Sequence, residues 1–277
     1  MNNPLSQYFR QPAIYIKLPS QGSFYPPGSF VPTENNEFPV LPMTTLDEIT
    51  YRTPDSLFNG SAVVSVIQSC IPNIKDAWKM PSLDIDTALV AIRIATYGHE
   101  LEITTECPAC QTLTDYVIDL RTILDNIRAP AYGKHLVLGD LEIFFKPMTF
   151  KQMNENSMIQ FEEQKSLEML QNQAASDASK VLAVSEVLKK ITTVTMKALA
   201  QNISLIKTPQ AQVTDFNHIA EFLTNCDRST FAKIKEHIIE NKQQAEIQPL
   251  RIQCTNCNHE YQQAFTLDMS NFFGAAS

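Results

Sequence analysis

Only 7 of the 277 residues are glycine, and none falls in a G-x-G-x-x-G, Walker or G-x-S-x-G pattern. The usual signatures of nucleotide-cradling loops and of the nucleophile elbow are therefore missing. Positive charge is also scarce: 22 Lys and Arg against 30 Asp and Glu leave a net charge of −8. General nucleic-acid binding rests on Lys and Arg neutralising phosphates, and no basic run exceeds Lys189-Lys190. No stretch approaches the roughly 20 apolar residues of a spanning helix. The best run, Ala88 to Ala95, is broken by Arg93. The opening MNNPLSQYFRQ has no basic region followed by an apolar one, so no signal peptide is expected. In a chain made in the cytosol, the 6 Cys are expected as thiols or metal ligands rather than disulfides.

What is present suits one or two folded domains: 44% hydrophobic residues, 19% charged. The 16 Pro are unevenly spread, and residues 1–45 hold 8 of them with only 4 charges. Proline fixes φ and removes a donor, so a helix is not expected there. Disordered tails are poor in aromatics, yet Tyr8, Phe9, Tyr15, Phe24, Tyr25 and Phe30 lie in this stretch. An extended arm anchored through its rings fits both facts, either on its own domain or on a partner subunit.

Beyond the arm, Ser56 to Cys70 reads as a helix closed by Pro72, and Pro81-Ser82 opens another that Gly98 stops. Residues 135–146 alternate around Gly139-Asp140 as a hairpin. Residues 148–247 contain a single proline, Pro209, and read as an insertion of antiparallel amphipathic helices. Thr149 with Gln152 makes a capping box at its entry. Val181, Val184, Val187, Leu188, Ile191, Val194 and Ile203 trace one long helix, and Asp227 caps a last one.

The strongest chemical signal is a pair of CxxC motifs, Cys107-Pro-Ala-Cys110 and Cys254-Thr-Asn-Cys257. Each follows a strand-like stretch and precedes another, as in the two halves of a zinc ribbon. Each half supplies two thiolates, and zinc takes four ligands in a tetrahedron. A single structural zinc is expected on Cys107, Cys110, Cys254 and Cys257; two unmetallated thiol pairs are the alternative. The 143 residues between the motifs far exceed a standard ribbon's spacing. Gln111 and Asn258 stand where knuckles often carry glycine. Four cysteines suffice without His99 or His259, and Cys70 and Cys226 read as buried hydrophobes. Glu236, His237 and Glu240 share a helix without a second such motif, so a solvated face is expected. Asp84 and Asp86 read as cap and dipole residues. No arrangement points to an active site, so no enzyme is expected.

The expected fold is α+β and mostly helical. It has a small zinc-ribbon-like β module assembled from two distant CxxC halves, which also takes in the 135–146 hairpin. The expected divisions are the arm at 1–45, a body at 46–147 and 248–277, and the helical insertion at 148–247.

Three stretches carry a family resemblance: Leu18-Pro-Ser-Gln-Gly-Ser-Phe-Tyr-Pro26; Pro42-Met-Thr-Thr-Leu-Asp-Glu-Ile49 with Thr53-Pro-Asp-Ser-Leu-Phe-Asn-Gly60; and Ala91-Ile-Arg-Ile-Ala-Thr-Tyr-Gly98 leading to Cys107-Pro-Ala-Cys110. In this order they resemble the T4-type phage baseplate hub and hub assembly proteins. The resemblance is firmest over residues 18–110. It implies a virion component or assembly factor of a contractile tail. Its partners would be other hub, tail-tube or tape-measure proteins, or further copies of itself. Leu18, Phe24, Tyr25 and Phe30 are then the expected partner contacts. A hub chaperone that leaves the particle and a zinc-ribbon nucleic-acid binder are the alternatives.

Overall fold

A computed structural model describes residues 3–53, 59–128, 132–172, 177–265 and 272–273, with the backbone alone at 171, 172, 177–182 and 245. The chain divides into two compact units: residues 1–129 with 245–277, and residues 130–244.

In the first unit, β1 (Ile14–Ile16) pairs antiparallel with β2 (Phe38–Val40). Three helices follow: α1 (Thr45–Tyr51), α2 (Ser61–Cys70) and α3 (Ile85–Tyr97). Every residue of α3 from Leu89 to Arg93 is buried, so this is a core helix and not a surface one. The same unit also buries Leu18, Phe38, Tyr51, Ile67, Ile71, Ile74 and Met80, all under 3% exposed. Gly98, at φ 90°, ends α3 as expected, and its N–H donates to the Ile94 carbonyl. The expected start of α2 at Ser56 falls outside the described residues. The described helix starts after Gly60, at φ 77°, with the Asn59 side chain accepting from the Ser61 N–H.

The proline-rich stretch folds onto its own unit. Arg10 donates to the carbonyls of Pro42 and Ser69 and to the Asp47 carboxylate. Tyr25 stacks on Phe30 at 4.3 Å, and Phe30 packs on Phe38 at 5.0 Å. Gln21, Gly22 and Phe24 all have positive φ, and a Cβ on Gly22 would stand 2.9 Å from the Phe30 ring. The Leu18–Pro26 motif thus encodes a tight left-handed turn that only glycine permits at its centre.

Helix α1 begins in a complete capping box. Thr44 Oγ1 accepts from the Asp47 N–H at 3.2 Å, and Asp47 Oδ2 accepts from the Thr44 N–H at 2.7 Å. Burial opposes the Asp47 charge, but the donors from Thr44 and Ser69 and the Arg10 guanidinium outweigh it and hold the carboxyl below its usual range. Thr44→Ala should lower stability to urea by about 1 kcal/mol without moving the m-value.

Two hairpins complete this unit. β3 (Glu100–Glu106) pairs with β4 (Leu113–Asp119), which leads into the short helix α4 (Leu120–Asn126). β9 (Leu250–Gln253) pairs with β10 (Glu260–Gln263).

The second unit holds a four-stranded antiparallel sheet in the order β5-β6-β7-β8. β5 (Leu136–Leu138) and β6 (Leu141–Phe145) are the expected hairpin, turned at Gly139. That hairpin was expected beside the cysteines; it instead pairs with β7 (Ile203–Lys207), and β8 (Gln212–Val213) follows. The stretch 148–247 is therefore not wholly helical, and Ile203 belongs to a strand. Helix α6 (Asp177–Gln201) ends there because the Asn202 side chain folds back to donate to the Ala198 carbonyl. α5 (Phe150–Asn172) opens with the expected Thr149–Gln152 box, and α8 (Arg228–Ala245) with the expected Asp227 cap. α7 (Phe216–Asn225) is capped by Asp215. The core joins Ile143, Phe145, Leu199, Ile203, Ile219, Leu223, Ile234 and Ile238. The rest of α5 and α6 form a helical pair in which Glu163 meets Lys190 at 3.3 Å.

Candidate metal centre

The two CxxC motifs sit in the turns of β3–β4 and β9–β10, and their backbones repeat each other. The Cys107 N–H donates to the Thr112 carbonyl, as the Cys254 N–H does to that of His259. The Gln111 N–H donates to the Cys107 carbonyl, as the Asn258 N–H does to that of Cys254. Gln111 and Asn258 share φ 57°, so both hold the left-handed conformation that knuckles usually assign to glycine. For Asn this is well tolerated; Gln111 adopts it against the preference of its side chain.

These turns bring Cys107, Cys110, Cys254 and Cys257 together, with all four sulfurs within 4.8 Å of one another. Cys107 and Cys257 Sγ are 3.7 Å apart, and Cys110 and Cys254 Sγ 3.6 Å. Both separations are too long for a disulfide, whose S–S bond is about 2.05 Å. They approach the edge of about 3.8 Å that a tetrahedron has with Zn–S bonds of about 2.3 Å. Among the described residues no other group of three or more His, Cys, Asp or Glu is placed to hold an ion.

The surroundings act on the thiols unequally. The Thr112 hydroxyl, 3.3 Å from Cys110 Sγ, and the Thr112 backbone together draw that thiol down to about 6, helped by Asn256 Nδ2 at 3.7 Å. At Cys257 the backbone hydrogen bond of His259 acts in the same direction. Desolvation and the three neighbouring sulfurs outweigh it and push the thiol up to about 12. Four thiols this close cannot all ionise unless a cation sits among them.

Contacts between the hairpins fix the geometry. Thr105 Oγ1 and Tyr261 Oη are 2.8 Å apart, and the Tyr116 hydroxyl donates to the Gln253 carbonyl at 3.2 Å. Asn256 Nδ2 also donates to Thr112 Oγ1 at 3.2 Å. These supporting residues escaped the reading of the sequence, because nothing in their spacing marks a contact across nearly 150 positions. Thr112, two places after the second cysteine of its motif, was the one local hint.

The other sequence candidates lie elsewhere. His259 stacks loosely on Tyr261 and contributes its carbonyl, not its ring. His237 packs on Phe145 at 4.4 Å with Nε2 buried and unpaired, while Glu236 and Glu240 are exposed. His237 therefore departs from the solvated face expected of all three. Cys70 is fully buried, and Cys226 is half-buried. Asp84 is no simple cap: it is fully buried and accepts from the Ser20 N–H, the Ser20 hydroxyl and the Tyr25 hydroxyl.

Of the expected partner contacts, Leu18 is 2% exposed and serves the core of its own unit. Tyr25 and Phe30 are half-buried in the stack described above, and Phe24 is 44% exposed.

The family model of the T4 bacteriophage base plate protein matches residues 36–274, most of the chain. The chain belongs to that family. Both CxxC motifs lie inside the matched span. The family assigns it a structural role in the baseplate of the phage tail. No curated protein and no solved structure is detectably similar to the chain. Among the described residues no helix is long and apolar enough to cross a membrane.

Proposed function

We propose that this baseplate protein builds the hub of a contractile tail through protein–protein contacts, with one structural zinc held by Cys107, Cys110, Cys254 and Cys257. The observation that carries the reading is the four-sulfur cluster within a chain of the baseplate family. Four thiolates fill a zinc tetrahedron and leave no position for water or substrate, so the metal supplies stability and not catalysis. It clasps two hairpins whose CxxC motifs are separated by 143 residues of chain. Neighbouring hub, tube or tape-measure proteins are the proposed partners, met in part through aromatic residues near the N-terminus that stay outward, Tyr8 at 77% and Tyr15 at 64% exposed.

The test is composition and position. Mass spectrometry of purified particles should find the chain, and cryo-electron microscopy should place it on the tail axis. Its absence from particles, with presence in assembly intermediates, would assign it to the chaperone role instead. A position at the baseplate periphery would overturn the hub.

A further inference from the structure

The β3–β4 hairpin has two unlike faces. One turns toward β9–β10 through Thr105 and Tyr116. The register puts Glu100, Glu102, Thr104 and Glu106 of β3 on the other, beside Asp119, Val117, Asp115 and Leu113 of β4. On this outer face Leu113 is 68% and Val117 63% exposed. Two large apolar side chains therefore stand in water on a strand whose alternate residues are at least partly covered.

Five carboxylates surround them. Arg121 is already engaged: it grips Asp119 through both oxygens, and this contact holds the Asp119 carboxyl down to about 2. Among the described residues Glu100, Glu102, Glu106 and Asp115 make no ion pair. Glu100 stands directly opposite Asp119 in the ladder, a like-charge pairing that weakens a hairpin. The carboxylates also do not converge on a metal ion, since the sulfurs are the only such group among the described residues. Charge is polarised along the whole chain. Residues 130–244 hold 13 Lys and Arg against 13 Asp and Glu, while the unit bearing this face holds 9 against 17.

We infer that this outer face is a docking surface for a basic segment of a different baseplate protein, one that presents Lys or Arg around an apolar contact. Carboxylates at alternate strand positions stand roughly 7 Å apart, the spacing of alternate side chains on an extended partner. Leu113 and Val117 give the contact its desolvated centre, and the carboxylates form a rim that steers and selects a cationic partner. A second copy of this chain is a poor occupant, because it carries the same net charge of −8. The inference rests on membership of the baseplate family and not on the hub position.

A zero-length carbodiimide cross-linker joins carboxylates to lysines in direct contact. Applied to baseplate assemblies isolated from infected cells, it should link Glu100, Glu102, Glu106 or Asp115 to lysines of another protein, with the yield falling at least severalfold in 1 M salt. A variant combining Glu102→Lys and Asp115→Lys should keep the wild-type melting temperature to within a few degrees. It should reduce incorporation into assemblies at least tenfold, as should Leu113→Ser with Val117→Ser. Links only within the chain or to a second copy would overturn the inference, as would incorporation of the charge-reversed variant at wild-type yield. A peripheral location in the particle, which would sink the hub, leaves these cross-links as expected.

Discussion

Cys110→Ser is expected to cost the protein its metal and, with it, the join between the hairpins β3–β4 and β9–β10. Structural zinc binding is worth roughly 10–16 kcal/mol in small domains, as much as the whole stability of most folds. Serine keeps the size of the side chain but supplies no thiolate, so the loss should be nearly as large as that caused by a strong chelator. Hydrogen exchange at residues 100–119 and 250–263 should rise by orders of magnitude in either case. Cys107→Ser, Cys254→Ser and Cys257→Ser should behave alike, since each removes one of the four sulfurs proposed to hold the ion. Cys226→Ser is the control and should retain full metal content, because Cys226 lies on another element altogether. Equal protection in Cys110→Ser and wild type would mean that the cluster is four packed thiols and no more.

The second large effect concerns Asp84. This carboxylate is 0% exposed and ties the turn at Ser20 to the start of α3 through three hydrogen bonds that it accepts. Asp84→Ala leaves the Ser20 N–H and two hydroxyls without their acceptor and should cost about 3 kcal/mol. Burial pushes the carboxyl up from 3.8 to about 6, against the opposing pull of Ser20 and Tyr25. The folded state therefore holds a proton that the unfolded chain has already released. Its contribution is fully present below pH 3.8 and is lost as the pH rises through about 6, after which the curve is flat. Asp84→Asn mimics the protonated form and does not titrate. Its cost should thus be greater at pH 4 than at pH 7, by about 2 kcal/mol. Asp47 has the opposite sign and weakens the fold only as the pH falls through its lowered range; groups that Asp84→Asn and wild type share cancel in their difference, which isolates Asp84. An equal cost at both pH values would show that Asp84 titrates normally.

Much of this architecture is legible in the sequence where the signal is local. The Thr149–Gln152 box, the Asp227 cap and the stop at Gly98 each depend on residues within a few positions of one another. The CxxC halves are legible because each carries its own strand–turn–strand pattern, so their meeting could be expected without knowing the path between them. What escaped depends on partners far along the chain. Ile203-Ser-Leu-Ile-Lys has apolar spacing that suits the end of a helix as well as a strand, and pairing with β6 decides for the strand. Asp84 looks like a helix-start residue, yet its partners Ser20 and Tyr25 lie 64 and 59 positions away. The proline-rich stretch looks like an arm because proline excludes helix. Its rings, however, find Phe38 and its Arg10 finds Asp47, so it packs on its own unit with Ile16, Leu18, Phe38 and Val40 in the core. Leu18, read from sequence as a partner contact, is one of the residues that this packing buries.

The most direct test of the account is the metal content of the intact, purified chain, measured by native mass spectrometry and by X-ray absorption at the zinc edge. The account predicts one zinc per chain, with four sulfur neighbours at about 2.3 Å and no nitrogen or oxygen in the first shell. A metal-free chain that is fully folded, or a metal with nitrogen or oxygen ligands, would contradict it.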